Sequence, residues 1–270
     1  MRLSRSSYYY KLKKRKPEDA ELEDIISDIA LEFPYYGYRR VTAALKRKGL
    51  IINHKKVHRI MKDNNILCKI KRSFKKTTNS AHNYKKYKNL IKNIIPQRIN
   101  QVFNADITYI RILTSFVYLA AIIDAYSRKI VGYGLGKTLS ADLTIAALKD
   151  AILKRDVSDL IHHSDCGVQY CSSDYVKILN GYGIAISMSS KASPYDNSII
   201  ESFFRTLKVE EVYMFSYETY RDVIKRIPYF IEEVYNKKRL HSSLGYMPPE
   251  EFESKIKYNK IKKSEVRQLV

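Results

Sequence analysis

Three acidic residues sit where a carboxylate has no cheap structural reason to be. Asp106 interrupts an apolar, β-branched stretch, between Ala105 and Ile107 in NADITYI. Burying it unpaired would be costly, so it should face a cleft or a cation. Asp165 closes the short stretch LIHHSD, and acids at the carboxyl ends of strands in open α/β sheets face ligand crevices. Glu201 falls in the first turns of NSIIESFFRTLKVEEV, beside the apolar stripe of Ile200, Phe203 and Leu207. Arg205 and Lys208 follow one and two turns later on the same side. Carboxylates from two strands and a helix form a hard-oxygen site suited to Mg²⁺ or Mn²⁺. Two such ions can activate an attacking oxygen and stabilise a leaving one in an in-line phosphoryl displacement, with no covalent protein nucleophile.

Other candidates compete. Asp124, in IIDAYSRK, also ends a strand pattern and reads as structural, paired with Arg128, with a metal role as the alternative. Asp196 looks like a turn or cap acid and Asp174 like a first-turn helix acid. His162 and His163 either orient Asp165 or pack in the interior. Cys166 and Cys171 flank Gly167, but two cysteines do not make a metal site, and zinc-type His/Cys spacing is absent.

The elements that must position these groups follow from periodicity. VFNADITYIRIL, SFVYLAAIIDAYS and RKIVGYGLGK read as three strands of an antiparallel meander. SADLTIAALKDAILKR is an amphipathic helix capped by Ser140, followed by strand LIHHSD, helix SSDYVKILNGYG, strand IAISMS and the helix bearing Glu201. The order βββαβαβα implies an α/β core with a mixed sheet flanked by helices. Ahead of it, Leu22, Ile25, Ile26, Ile29 and Phe33 mark a helix starting at Pro17. YYGYRRVTAALKRKG and HKKVHRIMKDNN then form a helix pair across a glycine-containing turn, with Asn53 as a cap. The second helix carries Lys55, Lys56 and Arg59, and the first Arg39 and Arg40, as a DNA-reading helix-turn-helix would.

Charge divides the 270 residues in the same way. Residues 1–100 hold 26 Lys+Arg against 8 Asp+Glu, residues 101–215 hold 11 against 12, and residues 216–270 hold 12 against 8. The total of +21 points to a polyanionic partner gripped by the front of the chain. Four regions follow: 1–68, an all-α region with the helix-turn-helix; 69–100, a basic linker in which Tyr84 and Tyr87 sit among lysines; 101–215, the α/β core; and 216–270, a helical C-terminal extension. Three cysteines cannot build a disulfide framework, no apolar run is long enough to span a membrane, and the basic N-terminus lacks an apolar signal core. A cytoplasmic, nucleoid-associated protein is expected.

With these residues in view, the chain resembles the insertion sequence three family of bacterial transposases, second reading frame product. Asp106, Asp165 and Glu201, with 35 residues between the last two, are similar to the D,D(35)E signature of retroviral-integrase-like transposases. ADITYI, YLAAIIDAYSRKIVGY, HHSDCGVQY, SPYDNSIIESFFRTLKVE and YNKKRLHSSLGYMPPEEF carry the likeness, together with YGYRRVTAALKRKGLIINHKKVHRIMKDNNI and the opening SRSSYYY. The resemblance implies a ribonuclease-H-like core and metal-dependent cleavage and strand transfer at element ends, with the three acids as metal ligands. Water would be the nucleophile for hydrolysis and a DNA 3′-hydroxyl for joining. It also implies DNA contact by Lys208, and it places Arg239 and His241 in a C-terminal motif that either touches DNA or docks beneath the core. Expected partners are double-stranded DNA (terminal inverted repeats and target), further copies of the chain, and an upstream-frame protein as fusion or partner. Three positions depart from the pattern: Phe103 for the usual Trp, Cys166 for the usual Arg, and Ala192-Ser193 for the usual Gly-Asn. The alternatives are a non-catalytic DNA-binding regulator derived from a transposase, and a general ribonuclease-H-like nuclease.

Overall fold

A computed structural model describes residues 17–68, 86–92, 94–189 and 196–268. SRSSYYY, Tyr84, Ala192 and Ser193 lie outside the described residues. The chain divides into two compact units, Met1–Lys71 and Arg72–Val270.

The first unit is helical. Helix α1 (Pro17–Glu32) buries Leu22, Ile26 and Ile29. Helix α2 (Tyr38–Arg47) buries Val41 and Leu45, and α3 (His54–Asp63) buries Val57, Ile60 and Met61. The three- and four-residue spacing of these side chains puts each set on one helix face, and the faces meet in one small core. The α2–α3 turn uses Gly49 at φ +85°, where a side chain would be strained. Asn53 caps α3 as its sequence position suggested, its Oδ1 accepting from Lys55 N at 2.9 Å.

The second unit is built on one five-stranded sheet in the order β3-β2-β1-β4-β5. β1 (Val102–Arg111), β2 (Phe116–Asp124) and β3 (Ile130–Gly136) form the antiparallel meander, while β4 (Ile161–Ser164) and β5 (Ala185–Met188) add in parallel beyond β1. Alternation along β1 sends its side chains to opposite faces. Phe103, Ala105 and their neighbours pack under α4 (Ala141–Lys154) and α5 (Ser173–Gly181). On the opposite face Ile110, Ala121 and Ile123 pack against α6 (Ser198–Leu207) and α7 (Tyr220–Tyr229). This mixed sheet with helices on both faces has the strand order and strand senses of a ribonuclease-H-like core, as expected.

Two irregular turns extend the helices. After α6 the chain widens into a π-helical segment, Lys208–Val212. After α7 a second one covers Phe230–Asn236. Pro228, inside α7, supplies no amide hydrogen and crowds the preceding turn, and the widened winding just after it relieves that conflict. Helix α8 (Pro249–Gln268) closes the chain. Its Glu253 chelates Arg155 at 2.8 and 2.5 Å, and Arg155 reaches buried Asp124 at 3.5 Å. Asp124 also accepts from Asn100, Tyr126 and Ser127 backbone nitrogens at 2.7–2.9 Å. It is therefore the structural turn acid, with its ion pair to Arg155 instead of Arg128. Residues 88–90 run along β5: Leu90 N donates to Ser187 Oγ and Met188 N to the Lys88 carbonyl. That segment covers the sheet edge.

α4 lies unusually close to β3 because Gly132 and Gly134 have no side chains. A Cβ on Gly132 would strike the Ala147 carbonyl and the Ala151 nitrogen, which are backbone atoms that cannot step aside. Gly132→Ala is expected to destabilise the unit by about 1–3 kcal/mol, read as a lower Tm. Gly181→Ala, at a helix end with open space around it, should leave Tm unchanged.

Candidate active site

The register of two strands brings the first two acids together. β1 and β4 run parallel with Ala105 opposite Ser164, so Asp106 and Asp165 are the next residues of the same row. Both therefore point to the face covered by α6. Glu201 lies in the first turn of that helix, exposed, while Ile200, Phe203 and Leu207 anchor the helix to the sheet.

What fixes the start of α6 is a pair of buried amides that sequence reasoning alone missed. Asn104 Nδ2 donates to Asn197 Oδ1 at 3.2 Å and to the Asp196 carbonyl at 3.4 Å. Asn197 Nδ2 donates to the Ala105 carbonyl at 3.2 Å. Both asparagines are nearly inaccessible to solvent. The turn before Glu201 is thus fastened to β1 beside Asp106. Asn104 carried a usable signal, since a polar side chain inside an apolar strand needs a partner. Asp196 is a turn acid as expected, receiving Asn89 Nδ2 at 2.8 Å.

The acids feel one another. Asp106 is pushed from the ordinary 3.8 up to about 8, first by burial and then by the negative charge of Asp165. Glu201 adds to the rise, while the Ile107 amide and the Lys208 ammonium oppose it. Burial lowers Lys208, and Asp106 counteracts that. The Asp165 carboxylate accepts from Gly167 N at 3.0 Å. A Cβ on Gly167 would lie 2.9 Å from that same carboxylate oxygen, so only glycine leaves the acid room. Carboxylates that raise one another in this way suit a divalent cation. Among the described residues, no three His, Cys, Asp or Glu side chains lie close enough to hold one ion. The acids share a field but do not form a finished coordination shell.

The histidines support the sheet and not the acids. His162 Nε2 meets Tyr175 Oη at 2.8 Å, and His163 meets Ser187 and Ser189 hydroxyls at 2.8 and 3.1 Å. Burial, with the neighbouring His163, drives His162 down to about 3; burial alone lowers His163 to about 4, against the pull of Asp196. Cys166, in the arginine position of the pattern, donates its thiol to the Ser189 carbonyl at 3.3 Å. Phe103, in the Trp position, is fully buried in the core.

The basic residues separate into outward and inward groups. Lys55 and Arg59 are exposed one turn apart on α3, and Arg39 is exposed on α2 over the Tyr38 ring. Arg40 is half-buried over Tyr36, and Lys56 pairs with Asp19 at 2.5 Å. Arg205 is exposed on α6. Arg239 and His241 turn inward instead. Arg239 is 4% exposed and grips Glu210 with two bonds of 2.7 Å, and His241 stacks edge-on against Tyr235 at 4.8 Å. Their surroundings are those of a docked motif beneath the core.

Residues 96–194 and 182–249 match the integrase core domain family, and residues 16–74 match an HTH-like domain. The chain is 38% identical over 261 residues to the insertion element IS600 uncharacterized 31 kDa protein of Shigella sonnei, spanning 94% of this chain and 96% of that one. It is 34% identical over 223 residues to transposase InsF for insertion sequence IS3A of Escherichia coli strain K12, spanning 82% and 77% of the two chains. Among solved structures, the HTLV-2 integrase catalytic core domain in complex with magnesium aligns with a TM-score of 0.44 at 14% identity, covering 57% of this chain and 96% of that one. No described helix is long and apolar enough to cross a membrane.

The raised Asp106 carboxyl has a consequence for stability. In metal-free protein the folded chain keeps a proton there that the unfolded chain has already lost, so stability falls as pH rises from about 4 to about 8. His162 and His163 act oppositely below about 6.5, where the unfolded chain gains protons that the folded chain refuses. Asp106→Asn should flatten the decline in Tm between about pH 7 and about pH 8, measured in EDTA. An unchanged slope would show that Asp106 ionises freely.

Proposed function

We infer the activity from a plain premise: the chain belongs to the insertion sequence three family of bacterial transposases. The reaction we assign to it is cleavage and strand transfer at the ends of an insertion element. The observation that supports this reading is the alignment of Asp106 with Asp165 by the β1–β4 register, with Glu201 in the first turn of the helix packed on that sheet face.

Asp106, Asp165 and Glu201 would hold Mg²⁺ or Mn²⁺, two ions per site, and the ions would supply charge stabilisation to the attacking and leaving oxygens of a phosphodiester. The remaining work falls to the chain itself. Asp106 and Asp165 are held side by side by strand register, and Glu201 is presented from a helix whose start is fastened to β1. Lys208, near enough to perturb Asp106, places a cation where a scissile phosphate would approach. In hydrolysis, water oxygen bonds to phosphorus and the bond from phosphorus to the 3′ oxygen breaks, leaving a 3′-hydroxyl at the element end. In joining, that hydroxyl oxygen bonds to a target phosphorus and displaces a target 3′-hydroxyl. One phosphodiester is exchanged for another, so joining needs no outside energy source. Arg205 extends the basic strip along α6, and the exposed Lys55 and Arg59 of α3 grip terminal-repeat DNA, with Arg39, Arg40 and Lys56 nearby on the same helical unit. Arg239 acts indirectly, by bracing the segment that carries Lys208 through Glu210, and His241 packs against Tyr235 in the same docked motif. Joining two ends calls for more than one copy of the chain, and an upstream-frame protein is a further partner.

Two measurements test this reading. With Mg²⁺ and oligonucleotides carrying the element's ends, Asp106→Asn, Asp165→Asn and Glu201→Gln should each lower strand transfer on the order of a hundredfold or more, while duplex binding persists. Undiminished transfer would remove these residues from the site. Binding without any metal-dependent transfer by the unaltered chain would favour the regulator alternative, and cutting without joining would favour the general nuclease. Separately, Lys55→Ala with Arg59→Ala should weaken DNA binding evenly across sequences and lessen the slope of log affinity against log salt by about 0.9 for each phosphate that is no longer neutralised.

A further inference from the structure

Next to the carboxylates lies a groove that shares only Lys208 with the strand-transfer chemistry assigned above. It has a volume of 390 Å³, within the range of small-ligand clefts, and lies between the end of β1 and the π-helical segment after α6. Tyr109, Arg111, Leu113, Lys208, Tyr213 and Phe215 line it. Lys208 belongs both to this wall and to the electrostatic surroundings of Asp106, so the groove begins where the acid site ends.

Two of its aromatic walls, Tyr109 and Phe215, are held by neighbours. The Tyr109 ring meets the edge of Phe116 at 5.4 Å and carries the Lys208 ammonium 4.8 Å from its centroid. Phe215 is covered on one side by the Arg226 guanidinium, 3.3 Å from its centroid. Arg226 in turn grips Glu211, which also accepts from Tyr217 Oη at 2.6 Å. Tyr213 and Phe215 nonetheless remain 56% and 44% exposed. Both acids of the π-helical segment are engaged by arginines, Glu210 by Arg239 and Glu211 by Arg226, so neither presents an unopposed charge to a phosphate. Flat, pre-positioned aromatic surfaces flanked by Lys208 and Arg111 suit a ligand that is planar at one end and anionic at the other.

We propose that this groove receives an unpaired nucleobase of the DNA strand being processed. The base stacks on Tyr213 and Phe215 while Lys208 and Arg111 hold its phosphates. The proposal rests on the DNA-processing reading of the adjacent acids and adds a ligand subsite to it. A base lodged there would hold the duplex end open and aim the neighbouring phosphate at the carboxylates.

The test is a ratio of affinities measured by fluorescence anisotropy in EDTA, where no chemistry occurs. One probe is a blunt duplex, and the other is the same duplex with a short oligothymidine 3′ overhang. The full chain should favour the overhang by about tenfold, which is within the reach of stacking a single base. Tyr213→Ala and Phe215→Ala should bring the ratio close to unity, and Tyr213→Phe, which keeps the ring, should retain it. Tyr213 is exposed enough for its truncation to be tolerated, so the result does not depend on Phe215→Ala folding. Absence of preference in the unaltered chain, or a ratio that survives both truncations, overturns the groove and leaves the metal-dependent reading standing. A change of sedimentation in Tyr213→Ala with the ratio intact would assign the groove to protein contact and overturn the proposal. Loss of strand transfer in the carboxylate variants does not affect the ratio, so the two readings fail separately.

Discussion

Burial of one carboxylate beside the charge of another is the constraint around which the second unit is arranged. Asp106 and Asp165 are forced into one row by the parallel pairing of β1 with β4, and Glu201 is brought over them by the seating of α6. The penalty shows in the Asp106 carboxyl, which burial first and the Asp165 charge second push up to about 8. The rest of the unit tolerates this concentration of charge. Apolar cores on both sheet faces hold the strands, and the Asn104–Asn197 pair prevents the helix from lifting away. Lys208 gives partial electrostatic relief.

Much of this was legible in the sequence, for identifiable reasons. The strands of the meander were visible because β-branched and aromatic residues run together in them, and the two-face burial of β1 follows from plain alternation. Asp106 stood out because it breaks that pattern. Asp124 ends a similar pattern, and a structural role was legible from its place at a strand end in IIDAYSRK. Its ionic partner was not legible, because Arg155 and Glu253 come from distant helices and neither position announces the other. The same limit applies to Arg239. The motif around it left DNA contact and docking beneath the core both open, and burial with a two-bond grip on Glu210 gives it an internal task whose partner only the fold reveals.

The widened turns could not be read from periodicity. NSIIESFFRTLKVEEV scans as one helix, yet regular winding ends at Leu207 and a π-helical segment carries Lys208–Val212. That change of winding decides which way Lys208, Glu210 and Glu211 point, and so decides where the groove beside the acids opens. Local pattern predicts where a helix exists; the pull of Arg226 and Arg239 on two adjacent glutamates is a tertiary effect that acts on how it is wound.

The bond between α8 and the core bears on the timing of folding. Arg155 is one-tenth exposed, and the carboxylate that neutralises it most closely comes from Glu253. Until that helix docks, the guanidinium has only Asp124, 3.5 Å away, to balance it, and the closer two-bond partner is missing. Consolidation of the sheet's buried turn is thereby coupled to the docking of α8, and a chain lacking that helix would lose the closure that keeps the turn in place.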